Sequence, residues 1–287
     1  MEKKMKYNII NVVVLLITML FFIYNCRDLP EIFAEKDLTS VFLLGITVIL
    51  VHVIKAGRLY LALYGSEIAF ITYLNTYCKV TPVSIMLPFK LGELFRMYCY
   101  GQLLGNNLKG VVIILFDRFM DTTALMTAIL LVWIFHGGQI TSFAYMFLVF
   151  LIFTLLIYFV YPEVYKFWKR YLLRAKASER KMAVLKILEM LNLIYREIEN
   201  VTKGRGMILY FMSLFAWGIE IGSLMFLDAS SRYSDISHVI SDYLASAVKG
   251  NQSAELKQFV IVSACLLIAV YSASKVGEML FGKKVYD

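Results

Sequence analysis

Three charged side chains with regular spacing lie inside an apolar run near the middle of the chain. Asp117 and Asp121 are four residues apart, which places both on one side of a helix, and Arg118 can pair with Asp121 at i, i+3. A charge at bilayer depth costs ~3 kcal/mol on insertion scales, so such groups face a bundle interior and find partners. If either Asp117 or Asp121 forms an ion pair with Arg118, the other aspartate can pair with a cationic side chain from the preceding segment. The candidates for that cation are Lys79, Lys90 and Arg96.

The preceding segment offers a second group of polar residues. Glu93 and Arg96 stand at i, i+3, shortly after Pro88 and Gly92. Proline and glycine at a helix start leave backbone N–H groups free. Beside Lys90 and Arg96, such an end could receive a phosphate oxygen. The charges therefore predict either a site for a phosphate-bearing headgroup or an internal ion-pair network that locks the helices together.

A further acid lies in the apolar run "FAWGIEIGSLM". Glu220 follows Trp217 by three residues and needs a partner or a cavity at this depth. For Gly218 and Gly222, on either side of it, we expect a packing role, because small residues let helices approach closely in membranes.

Composition indicates which elements position these groups. The 287 residues are 60% hydrophobic, only 17% are charged, and the mean hydropathy is +0.70. Several apolar runs exceed the ~18 residues of a candidate span. We therefore predict an all-α, polytopic helical membrane protein forming a single membrane domain over 1–287. Its six full spans are expected at 8–25, 39–58, 111–135, 141–161, 207–227 and 257–281.

The positions of the basic residues and of the four cysteines argue against a nucleic-acid-binding protein, a metal site and a disulfide-rich protein. The basic excess lies in loops that flank spans, where orientation and anionic headgroups explain it better than nucleic acid does. The cysteines are scattered without a CxxC pattern, so they predict neither a metal site nor a disulfide framework. We expect the first apolar run to be a retained span, because it lacks a signal-peptide cleavage site.

Lysine and arginine in short loops predict the orientation. Lysines before the first span place the N-terminus in the cytoplasm, and both termini lie there if 67–88 enters and leaves the membrane on one side. That segment is less apolar than its neighbours and carries Pro82 and Pro88, which we expect to break it. We therefore predict a re-entrant element at 67–88, with an ordinary polar span as the alternative, and an external loop at 228–256.

The connector 162–206 is basic, with eleven Lys or Arg against five acids. Leu185, Leu188, Leu191, Tyr195 and Ile198 recur in it at helical spacing, which predicts an amphipathic cytoplasmic helix. This helix either rests on the membrane surface or contacts anionic lipid or a cytoplasmic enzyme.

Signatures of enzymes do not occur in the sequence. It has no G-x-S-x-G, Walker A, H-E-x-x-H or dinucleotide-binding glycine motif. We expect no catalytic residues, no metal and no cofactor, and we expect the protein not to be an enzyme.

Four motifs together resemble the flippase-like membrane family that includes the transmembrane region of lysylphosphatidylglycerol synthase. They are "KAGRLY" at 55–60, "LPFKLGELFR" at 87–96, "DRFMD" at 117–121 and "WGIE" at 217–220. The resemblance implies a role in moving lipids or lipid-linked saccharides between leaflets. The positions it marks are Arg58, Pro88, Gly92, Glu93, Arg96, Arg118, Asp121, Trp217 and Glu220.

Two departures from the family pattern stand out. Asp117 takes the place of the usual glutamate before the arginine, which keeps the charge on a shorter side chain. The late glycine-rich "GG-x-G-x-x-E" segment is not visible in 228–256, where a polar sequence stands instead. If that segment lines the translocation path, this protein is divergent in substrate or activity.

The sequence leaves two main functions open. The first is a translocator in the cytoplasmic membrane of a prokaryote that carries an anionic or lipid-linked membrane lipid. Its headgroup-binding candidates are Arg58, Lys90, Glu93, Arg96, Asp117, Arg118, Asp121 and Glu220, with Pro88, Gly92 and Trp217 as structural residues. The second is an accessory subunit that docks a glycosyltransferase or lipid-modifying enzyme. A membrane-embedded transferase using Glu93 and Asp121 is less favoured, because the sequence offers no nucleotide or metal site. The oligomeric state is open.

Overall fold

The computed structural model describes residues 2–26, 38–87, 91–136, 142–174, 178–227 and 254–281, and within these ranges the chain is helical without strands. Its helices are α1 (Glu2–Cys26), α2 (Leu38–Ala62), α3 (Phe70–Met86), α4 (Leu91–Leu103), α5 (Asn107–His136), α6 (Ser142–Arg174), α7 (Glu179–Thr202), α8 (Gly206–Leu227) and α9 (Ala254–Phe281). The predicted external loop at 228–256 lies almost wholly outside the described residues.

Six of these helices are long and apolar enough to cross a membrane, which confirms the predicted fold class. Their apolar stretches are Tyr7–Tyr24, Leu38–Ala62, Asn107–Phe135, Ala144–Arg174, Gly206–Ser223 and Lys257–Gly277. With no water to satisfy backbone groups in hydrocarbon, such runs form helices.

Helices α3 and α4 form a tight antiparallel hairpin. Gly92 at the start of α4 lies so close to Val83 and Ser84 near the end of α3 that a Cβ would overlap their backbone. The rings of Tyr73 and Tyr100, at the opposite ends of the two helices, have centroids 6.3 Å apart. With 17 residues, α3 is about 25 Å long, which is less than the ~30 Å of a hydrocarbon core. The hairpin has the shape that a re-entrant element requires, and its position in a bilayer stays a prediction.

The expected break at Pro82 is wrong. Helix α3 continues through this proline to Met86. Proline removes one backbone donor and disfavours a helix interior, but tertiary packing can override that cost. Pro82 is buried, as are Val80 and Val83 on either side of it.

The bundle core lies where the hairpin meets α2, α5 and α8. Leu59, Ile113, Ile114 and Leu209 are fully or almost fully buried there beside the packed tyrosines of the hairpin. Helix α2 packs extensively against α8, and α4 against α5. Helix α1 is peripheral and contacts α3 and α9.

Helices α6 and α7 form a second antiparallel pair. Helix α6 runs past Pro162 to Arg174, so the predicted connector begins inside it. The ring of Tyr195 on α7 stacks between Tyr158 and Tyr161 on α6, with centroids 5.1 Å from each. Lys169 bonds Glu189 at 2.8 Å, and this hydrogen bond lowers the pKa of the Glu189 carboxyl. Helix α7 includes the sequence that was predicted to be amphipathic.

Candidate functional site

Arg58 on α2 lies at the centre of a buried group of charges. Its Nη2 donates to Asp117 Oδ1 at 2.5 Å, and its Nη1 donates to Asp121 Oδ1 and to Ser213 Oγ, the latter at 2.6 Å. Only 2% of Arg58 is exposed. The two aspartates lie on the same side of α5, as their spacing predicts, and a guanidinium can serve both because its donors form a planar fork.

Arg96 on α4 joins the same group from the hairpin. Its Nη2 lies 3.2 Å from Asp117 Oδ2, and its Nη1 lies 3.8 Å from Glu93 Oε2. Asp117 therefore gives one carboxylate oxygen to Arg58 and the other to Arg96. Through this carboxylate, α2, α4 and α5 are held at one point.

Arg118 lies at the edge of the group. Its Nε is 3.1 Å from Glu93 Oε1, and its Nη1 is 3.5 Å from Asp121 Oδ2. The Arg118 side chain is 41% exposed, against 12% for Glu93 and 11% for Asp121. Ser84 on α3 donates to the same Glu93 oxygen that Arg118 contacts. A ligand that enters the group from outside would meet Arg118 first.

These six side chains form what we call the arginine network: Arg58, Arg96, Arg118, Glu93, Asp117 and Asp121. Three guanidinium groups face three carboxylates, so its formal charge is zero. Desolvating charges is costly, and mutual pairing offsets that cost when geometry is good. Each guanidinium in the network already pairs with a carboxylate, so an anion that enters has to displace a carboxylate from an arginine.

A second ion pair adjoins the network. Lys55 Nζ, one turn before Arg58 on α2, lies 2.6 Å from Glu220 Oε2 on α8 and 5.4 Å from the ring centroid of Trp217. Trp217 Nε1 donates to the backbone oxygen of Asp121 at 3.1 Å. Trp217 thus connects the Lys55–Glu220 pair to the arginine network.

Metal ligation has no support in this part of the molecule. Among the described residues, no three His, Cys, Asp or Glu side chains are grouped so that they could hold a metal ion.

Comparison with known families supplies the identity. The model of the lysylphosphatidylglycerol synthase transmembrane region matches residues 8–232 of the chain. The chain belongs to the lysylphosphatidylglycerol synthase transmembrane-region family. No curated protein and no solved structure matches it. With the six apolar helices, membership makes this a multi-pass membrane protein.

In this family member, the structure brings together most of the predicted headgroup-binding residues. Arg58, Glu93, Arg96, Asp117, Arg118 and Asp121 form the network, and Glu220 adjoins it through Lys55 and Trp217. Gly92 allows the close approach of α3 and α4. Pro88 and Lys90 lie outside the described residues.

The structure shows how the two aspartates pair and corrects one packing prediction. Arg58, which was not among the cations considered, contacts both aspartates. Of the considered cations that the structure describes, Arg96 meets Asp117, whereas Lys79 contacts Tyr7 and Asn11 on α1. The packing role expected for Gly218 and Gly222 is wrong within the part of the chain that the structure describes, because a Cβ on either would meet no described atom within 4 Å. Their helix packs through its buried residues, such as Leu209, Ala216 and Trp217.

Sequence reasoning missed three polar residues that serve the site. Lys55, Ser213 and Ser84 are not among the site residues that the sequence predicts. Lys55 stands three residues before Arg58, so both face one side of α2, and this spacing was an available signal. No sequence signal marks Ser213 or Ser84 as a site residue, because a lone serine in an apolar helix more often bonds its own backbone.

Proposed function

We propose that this protein translocates a phosphate-bearing lipid, either a phospholipid or a lipid-linked saccharide, between the leaflets of a prokaryotic cytoplasmic membrane. The observation that carries the proposal is the 41% exposed side chain of Arg118 at the edge of a network whose other side chains are at most 12% exposed. Arginine binds phosphate well because its planar donors match two phosphate oxygens at once. Family membership supports a lipid-related role.

The arrangement of the network suggests how a headgroup is accepted. The lipid phosphate takes Arg118 from Glu93, which keeps its hydrogen bond from Ser84 and its contact with Arg96. Glu93 belongs to the hairpin and Arg118 to α5, so separating this pair opens the network along the boundary between the two elements. The acyl chains stay in lipid while the headgroup moves through the bundle. No covalent step is required, and the protein acts as a translocator without being an enzyme.

The decisive experiment measures lipid movement in proteoliposomes. We expect the purified full-length protein to expose fluorescent phospholipid to an external quencher, and Arg118→Ala to lower the rate at least about tenfold, as expected for a lost charged hydrogen bond. Arg118→Lys should retain part of the rate, because a lysine still supplies a charge but not the bidentate fork. Arg180→Ala, which removes an exposed arginine on α7, is the matched control and should leave the rate unchanged.

Two results would contradict the proposal. If Arg118→Ala translocates lipid as fast as the wild type, Arg118 does not receive the headgroup. If Arg118→Ala and Arg118→Lys both fail to fold instead, as judged by gel filtration, Arg118 serves an internal lock.

A second candidate function rests on α7. This helix exposes the apolar side chains of Met182, Ile187, Met190 and Leu193 beside basic residues of the connector. Such a face suits an accessory subunit that holds a glycosyltransferase or lipid-modifying enzyme at the membrane. The purified protein separates the two functions, because an accessory subunit alone moves no lipid in the proteoliposome assay.

A further inference from the structure

Lys79 is a cation whose described partners are all neutral. Its Nζ donates to Tyr7 Oη at 3.1 Å and to Asn11 Oδ1 at 3.2 Å, both on α1. The same ammonium lies 5.2 Å from the ring centroid of Tyr7 and 5.8 Å from that of Phe95. Within the part of the chain that the structure describes, Lys79 makes no ion pair. An ammonium has three N–H donors, and these contacts occupy two of them.

This neutral environment differs from that of the arginine network. Each arginine there meets at least one carboxylate, whereas the groups around Lys79 also include the Cys99 thiol, which contacts Asn11 Oδ1 at 3.7 Å. A charge in a membrane bundle is costly unless it is paired, and no described carboxylate offsets that cost at Lys79. The surroundings therefore point to an anion that comes from outside the chain.

The two sites lie on different faces of α4. Phe95 and Cys99 lie on the face toward Lys79 and α1, while Arg96 faces Asp117 on α5. An anion at Lys79 therefore occupies a site distinct from the arginine network.

Lys79 lies beside the boundary of an apolar stretch, where we expect lipid phosphates. Tyr7, which bonds the ammonium, is the first residue of the apolar stretch Tyr7–Tyr24, and hydrocarbon gives way to headgroups at such a boundary. On the same face of α3, Asn75 accepts a hydrogen bond of 2.5 Å from Ser274, near the end of the apolar stretch Lys257–Gly277. The ends of two spanning helices thus lie beside Lys79.

The site is also open to lipid on one side. Helix α1 packs mainly against α3 and α9 and touches α4 through Tyr7 and Asn11, while Val12, Leu16 and Leu20 on it are exposed. Lys79, Tyr7 and Asn11 are themselves partly exposed at this boundary. A membrane lipid can therefore reach the ammonium from beside α1 without entering the bundle.

We propose that Lys79, Tyr7 and Asn11 form a lateral binding site for the phosphate of an anionic phospholipid. The Lys79 ammonium pairs with a phosphate oxygen through its remaining N–H. The Tyr7 hydroxyl and the Asn11 amide, whose oxygens accept from Lys79, each have protons to donate to the same phosphate. The bound lipid supplies a counter-ion that the described residues do not provide, and it attaches α1 to the hairpin.

Native mass spectrometry of the full-length protein with phosphatidylglycerol tests this site. We expect the wild type to retain one tightly bound phosphatidylglycerol that Lys79→Met weakens by about tenfold or more. Lys79→Arg should retain the lipid. Lys109→Met removes a partly exposed lysine at the start of α5 and, as the matched control, should not change retention.

A second variant keeps the test decisive if Lys79→Met does not fold. Asn11→Leu lies on the loosely packed α1, removes one phosphate donor, and should weaken phosphatidylglycerol while Lys79 remains. The proposal is overturned if Asn11→Leu and Lys79→Met, where it folds, bind the lipid as the wild type does. It is also overturned if millimolar inorganic phosphate alone displaces the lipid, because the site would then take free phosphate. Since binding is the readout, these outcomes do not depend on whether the protein translocates lipid.

Discussion

At the scale of single residues, Arg58 decides whether the buried charges are stable. Its buried guanidinium contacts both aspartates of α5 and Ser213 of α8, and so joins α2 to two other helices. The network partners of Arg96 and Arg118 lie on α4 and α5 alone. Removing one partner of a buried ion pair typically costs ~3–5 kcal/mol, because the other charge stays buried and unpaired.

The corresponding prediction concerns Arg58→Met. This change keeps an unbranched side chain of moderate length but leaves three carboxylates facing two arginines, Arg96 and Arg118, in a buried network. We therefore expect a large fall in thermal stability or loss of folded protein. Fluorescence-detected gel filtration after heating measures the change. Arg180→Met on the exposed side of α7 is the control and should melt as the wild type does. An Arg58→Met protein as stable as the control would show that the aspartates find other partners.

At the scale of elements, the contact between α4 and α5 depends on the close approach of Gly101 and Gly110. A Cβ on Gly110 would overlap the backbone of Gly101, so the helices approach more closely there than any other residue type allows. Gly105 in the turn between them has φ of +65°, a conformation that glycine adopts without strain. This close approach helps to hold Arg96 and Asp117 at contact distance across the two helices.

We predict that Gly110→Leu separates helix α4 from helix α5. We expect it to lower thermal stability and also lipid translocation, because displacing α4 moves Glu93 and Arg96 away from α5. Gly222→Leu is the matched control, since a Cβ there meets nothing within 4 Å. Equal stability and equal translocation of the two variants would contradict the role assigned to the close approach.

At the scale of the whole molecule, the hairpin decides which side of the membrane each loop faces. If α3 and α4 enter and return together, residues just before α3 and at the end of α4 lie on the same side. If 67–88 spans the bilayer, they lie on opposite sides. The antiparallel packing of Tyr73 against Tyr100 favours the first arrangement.

Cysteine labelling in cells tests this topology. In a variant without Cys26, Cys78, Cys99 and Cys265, we expect Ala69→Cys and Gln102→Cys to react with a membrane-impermeant maleimide only after the cell is opened. Both positions are exposed on the protein surface. Labelling of Gln102→Cys in intact cells, with Ala69→Cys protected, would establish a full span instead.

The sequence by itself determined much of this protein. Six apolar runs predict six spans, because length and composition alone decide what can cross hydrocarbon. The spacing of Asp117 and Asp121 places them on one face, because helical periodicity is local. The four motifs also predicted the family that the comparison confirms.

The tertiary structure alone decided how the charges pair. Arg58 meets Asp117 and Asp121 across 59 and 63 residues of sequence, and Lys55 meets Glu220 across 165. Lys79 and Arg96 are both cations that precede Asp117 in the sequence, and both were candidates to pair with it. Only Arg96 faces α5, whereas Lys79 faces α1. The sequence shows that burying each charge is costly, but the packing of the helices decides which opposite charge offsets that cost. In this bundle, the packing groups three arginines with three carboxylates and places Lys79 among described partners that are neutral.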